Sequence, residues 1–309
     1  MTGQAQTVLD NPAWGAARAR LSVLIPFKGD DPTLLLGALD RERADAEIVL
    51  LDDGSGDEAL ARRVEAAVRG LGLPARLVRL ARNEGRAKGR NRLVAHARAG
   101  HFLFLDSDML PDDPRFLGVW LDLVARENPP VAFGGFSLKQ VAPSREHALH
   151  RTMAARSDCL VAAERALAPE KHVFTSNLLV RRDLFAREAF DESFSGWGWE
   201  DVEWGMRVAR NWPILHVDNT ATHLGLDTAC AMAAKYEQSA ANFARVVAAH
   251  PQVVAGYPSY RVARMLKFAP LRQAWRPWLK AFALADGPPL GSRALAMRLY
   301  RAALYAEAV

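Results

Sequence analysis

Phe102-Leu103-Phe104-Leu105-Asp106-Ser107-Asp108 is an apolar run that stops on two carboxylates. A buried strand ending this way presents hard oxygen ligands at the edge of a sheet, where a divalent cation can bridge a phosphate. The same pattern recurs upstream. Residues 21–25 read as a strand bounded by Pro26 and Gly29, with a helix over 32–39. Residues 47–51 read as a second strand closing on Asp52-Asp53-Gly54-Ser55, with a helix over 58–69. Residues 75–80 are a third, followed by Asn83-Glu84-Gly85 and a helix over 86–99; 101–105 is the fourth. Short apolar strands alternating with longer helices predict an α/β fold with a mostly parallel sheet and helices on both faces. Ligands of such sheets bind beyond the carboxyl ends of the strands, where Pro26, Asp53, Asn83 and Asp108 all fall.

Farther along stands Gly196-Trp197-Gly198-Trp199-Glu200-Asp201. A carboxylate pair beside two tryptophans suits proton abstraction next to a stacked apolar ring. Both acids can equally cap a helix over 202–210, and a carboxylate fixed at a helix start is what a general base requires. The two tryptophans can be core, yet the flanking glycines favour a mobile lid with at least one of Trp197 and Trp199 meeting a ligand. Asp53 has a plain reading as turn chemistry and a sharper one as a ligand-facing acceptor, for instance to the imide of a pyrimidine. The basic helix bearing Arg86, Lys88, Arg90 and Arg92 is either a solvated face or a partner for a diphosphate in the crevice.

A chain of 309 residues that is 50% hydrophobic can bury one large core, or one core plus an appendage. The two cysteines, Cys159 and Cys230, form no framework and have no metal-ligand spacing, which fits a reducing compartment. The polar opening segment, residues 1–13, lacks the basic-then-apolar order of a signal peptide, and no apolar stretch has the length of a membrane span. A soluble, cytoplasmic protein is expected, either free or peripheral at the inner face of the cytoplasmic membrane. The net charge of +5 is uneven: residues 226–309 hold eleven Lys or Arg against four acids, about +7, leaving about −2 elsewhere. No nucleic-acid motif accompanies this basic tail, so nucleic acid is not expected as a partner.

As an ordered set, these residues resemble the GT-A (Rossmann-like) glycosyltransferases, broadly family 2, with a second half similar to the chondroitin-polymerase and β-1,4-galactosyltransferase branches. The likeness rests on Ile25-Pro26-Phe27-Lys28, Leu51 to Ser55, Asn83-Glu84-Gly85 with Arg90-Asn91, and Asp106-Ser107-Asp108. It continues through Phe174 to Phe185, Phe190-Asp191-Glu192 and Gly196 to Glu203, and covers roughly residues 20–225. The resemblance implies a catalytic domain over 15–225 and a basic helical region over 226–309. It implies that Pro26, Lys28, Asp53, Asn83, Arg90 and Asp106 bind the nucleotide-sugar donor. Asp108, with His223, would hold Mn²⁺ or Mg²⁺, a borderline nitrogen ligand favouring Mn²⁺. Asp201, assisted by Glu200, would take the acceptor's proton.

No Gln-x-x-Arg-Trp segment follows the acidic pair and no membrane spans flank the domain, which argues against a processive polysaccharide synthase. Residues 260–285 place Trp275 and Trp278 among arginines and lysines, a stripe that can lie on an anionic membrane or pack on the domain. Pro270 and Pro277 are expected to break it into short pieces. The expected activity is metal-dependent, inverting transfer of a sugar, most simply from a UDP-sugar, to a saccharide or lipid-linked acceptor. The alternatives are a nucleotidyltransferase and a non-catalytic carbohydrate-binding protein on the same fold. Pro26-Phe-Lys-Gly-Asp30 is a poor version of the first one's Gly-rich loop, and retained acids argue against the second.

Overall fold

A computed structural model describes residues 6–15 and 19–309; the first five residues of the polar opening segment lie outside it. The chain begins with β1 (Gln6–Asp10), β2 (Leu21–Phe27), α1 (Thr33–Arg41), β3 (Ala46–Asp52), α2 (Glu58–Gly70), β4 (Ala75–Leu80), α3 (Arg86–His96) and β5 (His101–Leu105). Next come β6 (Met109–Pro111), α4 (Phe116–Glu127), β7 (Val131–Phe133), β8 (Phe136–Ser137), α5 (Ala148–Ser157), α6 (Ala162–Arg165), β9 (Asn177–Arg181) and α7 (Arg182–Phe185). After α8 (Glu200–Val208), β10 (Ile214–His216) and β11 (Ala221–His223), the remainder is helical. It comprises α9 (Ala229–Ala249), α10 (Pro251–Val254), α11 (Pro258–Lys267), α12 (Arg272–Leu284) and α13 (Leu290–Tyr305).

Apolar runs without polar alternation must be covered on both faces, and the central strands show how. Side chains of a strand alternate sides, so Val23, Ile25, Ile48 and Leu50 enter one core with α1, α2 and α4. Leu24, Val49 and Leu51 enter the opposite core with Leu93 of α3, Phe185 of α7 and Trp204 of α8. The main sheet has the order β1-β4-β3-β2-β5-β9-β7-β10. β4, β3, β2 and β5 are parallel neighbours, while β1 and β9 run antiparallel to theirs. The fold is therefore the expected mixed α/β sheet, with the switch of direction beside β5.

A second sheet, β6-β11-β8, sits at the end of β5. Its antiparallel β6–β11 ladder pairs His223 with Met109, the residue after Asp108. A third core unites Leu149 and Met153 of α5 and Val202 and Met206 of α8 with Phe243 of α9 and Met297 and Tyr300 of α13. The helical tail therefore shares a core with the mixed part.

Three local expectations need correction. The helix expected over 86–99 ends at His96, because Ala97 is already extended. Pro26 lies inside β2, near its carboxyl end, rather than bounding it. Pro277 does not break α12, which runs through it; packing of Ala283 and Leu279 into the third core holds the helix across the lost hydrogen bond. The same packing splits the expected one-sided stripe. Trp275 and Leu279 are half-buried, while Trp278 is 76% and Phe282 44% exposed. Among the described residues, no helix is long and apolar enough to cross a membrane.

Candidate active site

Asp106 and Asp108 follow directly from β5, whose five residues are all buried, so they emerge at its carboxyl end. The β6–β11 register then brings His223 alongside, with its Nε2 3.2 Å from Asp108 Oδ2. Leu224 N–H donates to the Asp108 carbonyl at 2.9 Å, fixing the chain where it passes the carboxylate. A Cβ at Gly225 would overlap Asp108 Oδ2, so glycine keeps that side of the carboxylate open. Burial opposes charge on both partners, but their mutual hydrogen bond and attraction lower the Asp108 pKa and raise that of His223. Beside them is an open hollow of about 240 Å³, lined by Asp30, Leu34, Ser107, Asp108, Leu110 and Gly225.

Among the described residues, no group of three or more His, Cys, Asp or Glu is placed to hold a metal by itself. Asp108 and His223 form a two-ligand set of carboxylate oxygen and imidazole nitrogen, open toward the hollow. That donor set fits Mn²⁺ or Mg²⁺ completed by a diphosphate, the usual arrangement where substrate phosphates supply ligands.

The nucleotide side is built by the β3–α2 and β4–α3 loops. Gly54, at φ +69°, lies so close to the backbone of Arg82 and Asn83 that a Cβ would come within 2.5 Å. Asp53 accepts from Glu84 N–H at 2.7 Å and Gly85 N–H at 3.0 Å, so both carboxylate oxygens hold the loop that carries Asn83. Burial raises its pKa against those two bonds. The neighbouring acids take the local roles: Asp57 caps α2, and Asp52 accepts from Ser55 N–H. Pro26 is half-buried, while Lys28 and Asn83 are exposed at the rim.

Arg90 joins the two acidic motifs. Its side chain is 2% exposed and its guanidinium meets Asp106 Oδ1 at 3.0 Å and Glu200 Oε1 at 3.3 Å. Arg86 lies 3.9 Å from the same Glu200 oxygen. Burial disfavours its charge, yet Asp106, Glu200, Asp201 and Asp108 together raise its pKa. Motifs some ninety residues apart thus line one cleft.

Around that cleft the acids at the start of α8 divide their roles. Glu200 is engaged by Arg90 and Arg86, and Glu203 by Arg207 and His250. Among the described residues, Asp201 has no cation within 4 Å and accepts only from Val202 N–H, at 2.8 Å. Burial, and then the neighbouring Glu200 charge, push its pKa up to about 7. Asp201 is half-buried and still meets solvent.

The glycine loop before it takes left-handed φ at Gly196, Gly198 and Trp199, and Asn242 of α9 pins it by donating to Ser195 O and Gly198 O at 2.9 Å each. Trp199 turns into the helical core: its Nε1 donates to Tyr305 Oη at 3.0 Å, and its ring lies 4.9 Å from Phe243. Trp197 is half-buried, with Tyr236 6.2 Å and Lys235 Nζ 5.8 Å from its ring.

Asp30, Tyr236 and the α13 side chains were not legible as site residues. Asp30 follows a strand end and offered a weak signal, whereas Tyr236 and α13 come near the Trp197–Trp199 loop only through tertiary packing.

Residues 22–187 match the family model described as glycosyl transferase family 2. That span includes Asp53, Arg90, Asp106 and Asp108 but ends before Glu200, Asp201 and His223. No curated protein matches the chain in sequence. Among solved structures, the chain is similar to the mannosyltransferase PcManGT from Pyrobaculum calidifontis, solved with GDP-Man and Mn²⁺. The TM-score is 0.56 at 16% identity, over 97% of this chain and 89% of that one. It is also similar to S. aureus TarS 1–349, with TM-score 0.54 and 16% identity over 94% and 90% of the two chains. These likenesses establish a shared fold.

Proposed function

Since this chain belongs to glycosyl transferase family 2, we propose that it is a metal-dependent, inverting glycosyltransferase that moves one sugar from a UDP-sugar to a saccharide or lipid-linked acceptor. The observation that carries this reading is the distribution of charge around Asp201. Of the acids at the start of α8, Glu200 and Glu203 are neutralised by cations, and Asp201 alone stands free with a raised pKa. A carboxylate that titrates near neutrality is suited to accept a proton from a hydroxyl in the transition state.

In this mechanism the acceptor oxygen attacks the anomeric carbon and gives its proton to Asp201, while the bond from that carbon to the diphosphate oxygen breaks on the opposite face. Arg86 lies where it can meet the departing charge, and Arg90 holds Asp106 and Glu200 in place. Asp108 and His223 would hold Mn²⁺ or Mg²⁺, which when bound supplies positive charge to the diphosphate. Asp53 holds the loop bearing Asn83, which would meet the donor nucleotide. The resemblance of 196–223 to the chondroitin-polymerase and β-1,4-galactosyltransferase branches supports placing the base in this loop.

We also infer that the acceptor is met at an anionic membrane surface. Met265, Phe268, Leu271 and Trp278 are each at least 76% exposed, with Arg261, Arg264 and Lys267 exposed around them. Apolar side chains ringed by basic ones complement an acidic headgroup layer.

A thermal-shift panel of nucleotide sugars with and without Mn²⁺ tests the donor and metal together, because a ligand that binds only the folded state raises its melting point. A UDP-sugar should stabilise the wild-type chain in a Mn²⁺-dependent way, and Asp108→Ala should remove the dependence while leaving the fold intact. Undiminished donor binding after exhaustive chelation would overturn the metal assignment.

A further inference from the structure

Arg298, Arg301 and Tyr305 are spaced so that they share one stripe of α13. Tyr305 is buried and bonds Trp199, the residue before the acidic pair, so this stripe faces the base loop. Both arginines are half-buried, and among the described residues neither has a carboxylate within 4 Å. Other recessed arginines are held by acceptors: Arg165 donates to Val217 O and His216 Nδ1, and Arg90 pairs with two acids, although its Nε has no partner among the described residues. Arg301 instead lies over Tyr236, its guanidinium carbon 5.0 Å from the ring. The Tyr236 ring in turn neighbours Trp197. Asp158, whose charge acts on both arginines, is itself made harder to ionise by burial. Lys235 is already paired with Asp227 at 2.7 Å. Two cations thus face one carboxylate at a distance, beside the rings of Tyr236 and Trp197. A guanidinium fork with open donors in such a place recognises an oxyanion in preference to a neutral hydroxyl.

We propose that Arg298 and Arg301, with Trp197 and Tyr236, form an acceptor subsite that selects saccharides carrying an anionic group, a carboxylate or a phosphate. This deepens the glycosyltransferase reading and rests on it for the word acceptor; the oxyanion site itself rests on α13.

Titration calorimetry of the full chain, with UDP and Mn²⁺ present, compares methyl glucuronide, glucose 1-phosphate and methyl glucoside. At least one anionic probe should bind about tenfold more tightly than the neutral glucoside, the scale of a charge-assisted bond. Whichever anion leads assigns carboxylate or phosphate as the recognised group. Arg301→Gln and Arg298→Gln should each shrink that ratio and leave UDP affinity unchanged. Should Arg301→Gln not fold, the less constrained Arg298→Gln decides alone. Equal binding of all three probes by the wild type, or a preference that survives both substitutions, overturns the subsite. Loss of UDP binding with the anion preference intact would instead refute the donor reading and spare the subsite.

Discussion

Asp201 has two pH signatures that a merely capping carboxylate would lack. Its folded-state pKa is pushed up to about 7, chiefly by burial, from an ordinary 3.8. Below neutrality it carries a proton and cannot act as base, so kcat should rise with pH through about 7. Asp201→Asn should lower turnover by roughly a hundredfold or more, the scale of general-base contributions, with UDP binding kept. Stability runs the other way. A proton held more tightly by the folded chain contributes stability that is whole below pH 3.8 and is lost as pH rises through about 7. Asp201→Asn should therefore melt above the wild type at pH 8 and level with it near pH 4. A variant with full activity and an unchanged melting profile would return Asp201 to capping alone. Arg90 is the opposite case. Arg90→Ala would strand Glu200, 4% exposed, without its closest cation. Breaking a buried pair from one side costs about 3–5 kcal/mol, so urea unfolding should show a loss on that scale, whatever happens to turnover.

The same sequence stripe serves two purposes within α12. Trp275, Leu279 and Ala283, four residues apart, turn toward α13, while Trp278 and Phe282 turn outward. The membrane test therefore belongs to the outward pair. Vesicle sedimentation should show binding that requires anionic lipid and weakens with salt, since each basic residue near such a surface contributes about 1 kcal/mol. Trp278→Ser with Phe282→Ser should abolish it with no change in melting temperature. If the wild type ignores anionic vesicles and sediments as a dimer that the double variant dissociates, the exposed face meets a second copy instead.

At the scale of the molecule, the division into a catalytic domain over 15–225 and a tail over 226–309 meets a physical objection. Phe194, Val202 and Met206, all on the first side, are buried by Phe243, Met297 and Tyr305 on the second. Removing residues 226–309 would uncover that surface and release the Gly196–Trp199 loop from Asn242. The truncated chain is expected to bind a hydrophobic dye and lose its near-ultraviolet circular dichroism, while the full chain unfolds in one transition. A truncated chain with native aromatic signals would restore the two-part division.

What the sequence determined by itself was what local chemistry can write. Largely apolar runs specified β2, β3 and β5 to within a residue or two, because a strand buried on both faces leaves little polar alternation to misread, and Ala75 to Leu80 specified β4 although Arg76 and Arg79 interrupt it. Acids just past such a run specified where Asp106 and Asp108 would emerge. The antiparallel edge strand β1 escaped, since its exposed residues carry no burial pattern. Partnership was decided only by the tertiary structure. Glu200, Asp201 and Glu203 are indistinguishable as letters; Arg90, Arg86, Arg207 and His250, arriving from α3, α8 and the α9–α10 junction, neutralise two and leave one. Helical periodicity predicted an amphipathic α12 but not which side faced inward, because that depends on where α13 lies. Arg301 could not be read at all. An arginine's role is set by the acceptors within reach of its donors, and those are brought together by packing across the whole chain.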